Sequence, residues 1–411
     1  MRRHDLPTPC YLVSEAALRR NLETLKGVRD RTGCKILLAQ KAFSMFAVYP
    51  IIGEYLDGAA SSGLFEATLA HAHMPGENHT FSPAFRDDQF DEIAAISGHI
   101  VFNSIAQYER FGARALAAGA KAGLRINPRH STQQHAIYDP CASGSRLGIP
   151  AEGGLPPLPE GVSGLHFHTL CEQDADALEE TLNAVIDTFQ PWLKKVQWIN
   201  FGGGHHITRS GYDIPRLEKC IRRMQTRYGL EVYLEPGEAV ALAAGILITE
   251  VLDIVENGVE IAILDASAAC HMPDVIEMPY RPPLQESGVP VSFTGDAPSA
   301  QNFDVPADDA HLNAARTDAL RRTAGQPGEK PHTYRLAGPT CLAGDVIGDY
   351  SFETPLAPGT RLEFRDMAIY TMVKNNTFNG MPLPAIALEG PDGDCRLIRS
   401  FSYEDFKTRL S

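Results

Sequence analysis

Several absences narrow the reading of this 411-residue chain before any motif is considered. No apolar run is long enough to cross a bilayer: the longest, AVALAAGILIT (239–249), stops before Glu250. No two of the eight cysteines form a C-x-x-C pair, and the N-terminal MRRHDLPTPCYLV has no apolar stretch behind its charges of the kind a signal peptide needs. Free thiols in a reducing cytoplasm are therefore expected. Basic residues are in deficit. Against 51 Asp and Glu stand 37 Lys and Arg, a formal charge of −14, which repels nucleic acid and anionic membranes as partners. His71 with His73, and His205 with His206, lack the spacing and the third ligand of a zinc site, so no metal is expected. What remains is an ordinary globular composition, 44% hydrophobic and 21% charged, with enough chain for two domains or a barrel with an appendage.

The first 240 residues alternate strand-like runs with amphipathic segments. Eight such runs can be read: CKILLAQ (34–40), LDGAASS (56–62), NHTFSP (78–83), GHIVFNS (98–104), KAGLRINP (121–128), VSGLHFH (162–168), VQWINFG (196–202) and LEVYLEP (230–236). Helical patterns lie between most of them, at 104–119, 174–193 and 214–229, the last closing on Gly229. Eightfold strand–helix alternation predicts an α/β chain built on a parallel (β/α)8 barrel over 14–244, with a doubly wound open sheet as the alternative. Beyond 245 the texture turns to strands: a hairpin at Asn257-Gly258, then HTYRLAG, TRLEFRD, AIYTMV and CRLIRSF. This predicts a C-terminal all-β domain over 245–411, joined by an N-terminal strand within 1–13. Residues 294–330, rich in Ala, Asp, Pro and Gly, read as a surface insertion with a short helix around 309–323.

One lysine stands out. In LLAQKAFSMF, Lys41 ends an apolar run that reads as a buried strand, where an ammonium is costly unless paired or used. Barrel chemistry sits where strands end and loops begin. At those ends stand Lys41, His168, the triplet Gly202–Gly204, and Glu235 of EPGE. His166 is expected to face away from His168, so the two are not read as a metal pair. A lysine for an aldehyde, glycines for a phosphate, a flat side chain for a ring and an acid for a ring nitrogen together fit pyridoxal 5'-phosphate. The downstream AGPTCLAGD and DMAIYTMV add Cys341, Asp345 and Tyr370.

Collinear over 41–380, the segments QKAFS, LHFHTLCE, NFGGGHHITR, LEPGEA, GPTCLAGD and DMAIYTMVKNNTFNG resemble the fold-type III pyridoxal-phosphate decarboxylases, within them the carboxynorspermidine/carboxyspermidine branch. The resemblance implies a head-to-tail homodimer with shared sites. Lys41 would form the Schiff base, His168 would stack on the ring, Gly203 and Gly204 would hold the phosphate with Tyr370 nearby, and Glu235 would pair with the pyridine nitrogen. Cys341 and Asp345 would reach the neighbouring subunit's site. Two departures from ornithine and diaminopimelate decarboxylases bear on substrate. EPGE puts Glu238 where those enzymes usually carry arginine, and Leu342 stands where ornithine decarboxylase has an acid. A carboxylate at 238 suits an amine, so Glu238 and Asp274 are expected to pair with a polyamine chain and Arg281 with a substrate carboxylate. The implied reaction is decarboxylation of a carboxy-polyamine to norspermidine or spermidine. A diaminopimelate or other basic amino-acid decarboxylase is the alternative. A non-catalytic cofactor carrier is disfavoured by the full β domain, and a racemase by Glu235.

Overall fold

A computed structural model describes residues 1–133, 139–151, 154–286 and 322–411. The expected insertion lies outside the described residues as far as 321. The chain divides into two compact units, Arg19–Val240 and the pair Met1–Leu18 with Ala241–Ser411.

The first unit is a closed parallel barrel. Its strands are β2 (Lys35–Ala39), β3 (Gly58–Ser61), β4 (Glu77–Ser82), β5 (His99–Phe102), β6 (Lys121–Asn127), β8 (Val162–His166), β9 (Trp198–Asn200) and β10 (Glu231–Leu234). Each pairs with the next in chain order, and β10 returns to β2. A two-residue strand, β7 (Ile149–Pro150), adds to β6 outside the ring. The doubly wound alternative is thereby excluded. Closure places side chains from both walls in contact, and Leu37, Val101, Trp198 and Tyr233 fill the middle. The fit is tight enough to dictate glycine: a Cβ at Gly164 would lie 1.9 Å from the Trp198 ring. The helices outside the ring carry their own start and stop signals. In Ile214–Tyr228, the Asp213 side chain accepts from the Arg216 N–H, Pro215 occupies the first turn, and Gly229 at φ 70° ends the helix.

The second unit is mostly sheet. Its nine strands run β15 (Val346–Phe352), β14 (His332–Ala337), β12 (Glu260–Leu264), β11 (Gly245–Glu256), β1 (Cys10–Ser14), β17 (Ala385–Glu389) and β18 (Cys395–Arg399). To these β16 (Arg361–Arg365) is added beside β11, and β13 (Leu284–Glu286) beside β16. The N-terminal strand β1 lies between β11 and β17, and Leu6, Cys10, Leu12, Ile246, Ile248 and Ala387 form a shared core. The expected hairpin is present: β11 and β12 pair antiparallel to Glu256 opposite Glu260, with Gly258 at φ 71°. AIYTMV is not a strand. Tyr370 takes φ 52° and Thr371–Lys374 winds into a helical turn, its Val373 and Lys374 N–H groups donating to the Tyr370 carbonyl. The run looked like a strand because Ala368, Thr371 and Met372 are buried, and burial alone does not set backbone conformation.

Candidate active site in the barrel mouth

A cavity of about 370 Å3 opens at the C-terminal ends of the barrel strands, with Lys41, Arg125, His166, His168 and Glu235 on its wall. Lys41 follows β2 and lines this cavity, exposed at its mouth. Burial lowers its pKa, Arg125 adds to the lowering, and Glu235 opposes it. An amine held less basic than usual is the form that attacks an aldehyde.

Glu235 follows β10. Burial on its own raises the pKa of its carboxyl, but charge and contact from His166, then His79, and a hydrogen bond from Asn200 outweigh it and hold the group near 2. His166 Nε2 stands 3.4 Å from the carboxylate. Burial lowers the pKa of that imidazole and keeps it neutral, so the Asn200 Nδ2–H, donating to Glu235 Oε1 at 2.7 Å, is the firmer cause. Asn200, wholly buried at the end of β9, also accepts from the Gly202 N–H at 2.8 Å, and the Glu235 N–H donates to the Gly202 carbonyl. One amide thus fixes both the acid and the start of the glycine triplet.

The triplet is glycine for steric reasons. A Cβ at Gly203 would lie 2.5 Å from the Glu235 carbonyl, and one at Gly204 2.0 Å from the Leu170 carbonyl. Gly202 and Gly204 take φ of 70° and 83°. The Gly203 N–H donates to His168 Nδ1 at 2.8 Å, which fixes the ring's orientation. Burial, then the charges of Lys41 and Arg125, drives the His168 pKa well below its ordinary value, so the ring is neutral.

Both histidines of LHFH line this cavity, contrary to the expectation that His166 faces away. Side chains two residues apart in an extended chain share a face, and it is Phe167 that points outward, stacked on Phe201 at 5.3 Å. Arg125 and Asn200 were missed. Arg125 is almost fully buried within β6. Burial brings its pKa to about 10, its guanidinium donates to the His168 carbonyl, and it lies over the Phe81 ring at 4.6 Å. The clue was in KAGLRINP: a charged residue inside an apolar strand raises the same question as Lys41. Asn200, in WINFGGG, carried no signal beyond its place at a strand end. Glu238 begins the short helix Glu238–Ala241 and stands 3.1 Å from His206 Nε2, both side chains largely buried.

The remaining predicted residues belong to the sheet unit. Cys341 is exposed on the loop before β15. Asp345, expected as a reacting group, is 2% exposed: its carboxylate accepts from Ser267 Oγ at 2.8 Å, Thr340 Oγ1 at 2.7 Å and the Ala269 N–H at 3.2 Å. Its own carbonyl accepts from the Gly338 N–H, and its N–H donates to Leu342. These bonds anchor the 338–345 loop. Tyr370 is half-buried at its strained turn. Asp274 pairs with Lys374, which also reaches Glu277 at 2.8 Å. Arg281, expected on a substrate carboxylate, donates to the Gly325 and Asp349 carbonyls and lies 4.5 Å from the Tyr350 ring. These contacts, made by one guanidinium nitrogen, belong to the sheet unit.

The mouth fits an aldehyde-bearing pyridine phosphate. Lys41 is an amine of lowered basicity, Glu235 a carboxylate kept charged, and the glycine triplet a backbone approach no larger residue permits.

The family described as pyridoxal-dependent decarboxylase, C-terminal sheet domain, matches residues 10–368. A carboxynorspermidine/carboxyspermidine decarboxylase of Campylobacter jejuni is 41% identical over 404 residues, 98% of each chain. A carboxyaminopropylagmatine decarboxylase of Synechocystis sp. is 38% identical over 408 residues, 99% of this chain and 96% of that one. The crystal structure of carboxynorspermidine decarboxylase complexed with norspermidine, from C. jejuni, superposes with TM-score 0.83 at 40% identity over 98% of this chain and all of that one.

Proposed function

The chain belongs to the pyridoxal-dependent decarboxylases, and on that premise we propose that it removes the α-carboxylate of a carboxylated polyamine, carboxynorspermidine or carboxyspermidine, to give norspermidine or spermidine. Pyridoxal phosphate, when bound, supplies the electron sink for loss of the carboxylate. Lys41 is the amine that would hold its aldehyde. Glu235, an ionised carboxylate fixed by Asn200, would keep a proton at the pyridine nitrogen. His168, oriented by Gly203, offers a flat neutral face, and the backbone of Gly203 and Gly204 would take the phosphate.

The single observation that carries the substrate class is the Glu238 carboxylate, held at 3.1 Å by His206 four residues after the start of LEPGE. A largely buried carboxylate cannot bind an anion and suits a protonated secondary or primary amine. Asp274, already paired with Lys374, is the second amine partner in this reading. Carbon dioxide released from carboxynorspermidine, carboxyspermidine and carboxyaminopropylagmatine, compared with diaminopimelate, tests the proposal. Release from diaminopimelate alone overturns it. Glu238→Gln is expected to raise KM for the polyamine substrates about tenfold, the loss of one charge-assisted hydrogen bond.

The assembly is proposed to be a head-to-tail homodimer in which the exposed Cys341 thiol of one chain returns a proton at the other chain's mouth, with Asp345 as the residue that positions its loop. No described helix is long and apolar enough to cross a membrane. Mixing inactive Lys41→Ala and Cys341→Ala chains should restore about a quarter of wild-type activity if sites are shared across a two-fold interface, and none if they are not.

A further inference from the structure

We propose that the N-terminal end of the barrel holds a divalent transition-metal site of the zinc class, built from Glu77, His79 and His99. Glu77 and His99 are the first residues of β4 and β5, and the parallel register of these neighbours sets His79 directly beside His99. Their rings stack at 3.9 Å. Glu77 Oε2 lies 2.9 Å from His79 Nε2 and 3.7 Å from His99 Nδ1. The three ligand atoms all fall within 4.8 Å of one another. Ligands about 2.1 Å from a tetrahedral zinc stand about 3.4 Å apart, so these separations bracket what an ion needs.

A second observation points to a missing ligand. The two side chains are 2% and 3% exposed, yet neither nitrogen of His99 nor Nδ1 of His79 has a hydrogen-bond partner among the described residues. A buried nitrogen without a partner is costly, and a ligand that takes up its lone pair removes that cost. Their surroundings offer no remedy. Trp198 and His99 meet edge to face at 5.1 Å, and the Tyr233 hydroxyl is taken up by carboxylates, Glu231 at 2.8 Å and Glu77 Oε2 at 3.3 Å. Of these nitrogens His99 Nδ1 faces Glu77 Oε2, and an ion there would take its lone pair together with His79 Nε2. The ion has an entry: a cavity of about 350 Å3 reaches Glu77 and His99 from outside, with His71 elsewhere on its wall. Lys121 lines that opening too, and Lys35 acts on Glu77, so the site selects a cation bound by coordination rather than by bulk charge.

The spacing rules applied to the sequence could not flag this set. Glu77 and His79 are two apart, and the third member comes twenty residues later on the neighbouring strand. Because His79 also lines the lysine cavity, an ion here would fix a ring that helps keep Glu235 charged.

The holoenzyme, freed of metal by dialysis against a chelator and titrated with zinc, tests the site. One zinc per chain is expected, and X-ray absorption at the zinc edge should show imidazole and light-atom scattering without sulfur. His99→Gln and Glu77→Gln should each weaken binding at least tenfold. Sub-stoichiometric binding, a sulfur shell from the free cysteines, or affinity unchanged in both variants would overturn the proposal. The absorption measurement needs only the wild-type chain, so a variant that fails to fold leaves the test intact. Decarboxylation plays no part in it, and the proposed function stands or falls separately.

Discussion

The two ends of the barrel bury the same kinds of side chain and satisfy them differently. At the C-terminal mouth, Glu235 accepts from Asn200, His168 Nδ1 accepts from the Gly203 N–H, and Arg125 donates to the His168 carbonyl. At the N-terminal end, Glu77 takes one nitrogen of His79 and three others go without. The acid and the ring of the mouth are preorganised by their own chain, as a site must be if its dipoles are to act without rearranging during the reaction, while His166 there keeps both nitrogens without a hydrogen-bond partner among the described residues. At the opposite end the carboxylate and the two imidazoles have no comparable network of backbone and amide donors among the described residues.

The largest effect is expected from neutralising the acid of the mouth. Glu235→Gln keeps the shape and the Asn200 contact but removes the charge, and should lower kcat about 10²–10³-fold, the scale of one lost electrostatic contact in a reaction site. The visible absorbance of bound cofactor should persist. A kcat within threefold of wild type would mean that charge at this end does no catalytic work.

How much of this contrast was legible beforehand follows from which features are local. Strand–helix alternation, the Asn257-Gly258 turn and the cap on Gly229 are local, and the barrel and hairpin were read from them. Lys41, His168, the glycines and Glu235 stand at strand ends, where a parallel barrel gathers them whatever lies between. Arg125 and Asn200 needed the register of closed strands, because nothing nearby in sequence says which way a residue inside β6 or β9 points. Tyr370 defeated the pattern outright: a run of buried side chains hid a residue of positive φ. Asp345 was placed correctly on its loop but not in its burial, since Ser267 and Ala269, two of its partners, lie some seventy-five residues earlier.

The positioning of the acid offers a sharper cut. Asn200→Ala removes the donor to Glu235 and the acceptor for Gly202 together. Hydrogen bonds to charged groups are worth about 1.5–3 kcal/mol, so kcat/KM should fall about ten- to a hundredfold. A structural role alone would lower the melting temperature without that loss. At the other end the pattern should invert. Glu77→Gln weakens the contact with His79 and should cost about 1 kcal/mol in urea unfolding, discounted because Glu77 is one-third exposed, while kcat moves less than threefold. A kcat loss comparable to that of Asn200→Ala would erase the distinction between the ends.

The smallest effect lies in the acid limb of stability. Glu235 and Glu77 are both held near a pKa of 2 against an ordinary 4.5, for different reasons. A carboxyl depressed in the folded state stabilises the fold above its unfolded pKa, and that contribution drains away as pH falls from about 4.5 toward 2, because the unfolded chain takes the proton first. Glu235→Gln should therefore flatten unfolding free energy against pH in that window, by less than about 1.4 kcal/mol per pH unit for the one proton involved, and leave the slope above pH 5 untouched. Glu77→Gln should flatten it less, since solvent screens a half-open carboxylate. The causes separate the two ends further. Asn200→Ala should reproduce part of the Glu235→Gln curve and none of the Glu77→Gln curve. His79→Leu should do the reverse, because the hydrogen bond from His79 is the largest influence holding Glu77 down, while its effect on Glu235 is exerted at longer range and ranks behind that of His166. If both positioning variants flatten the limb alike, the two carboxyls share one network through the barrel and the ends are not independent.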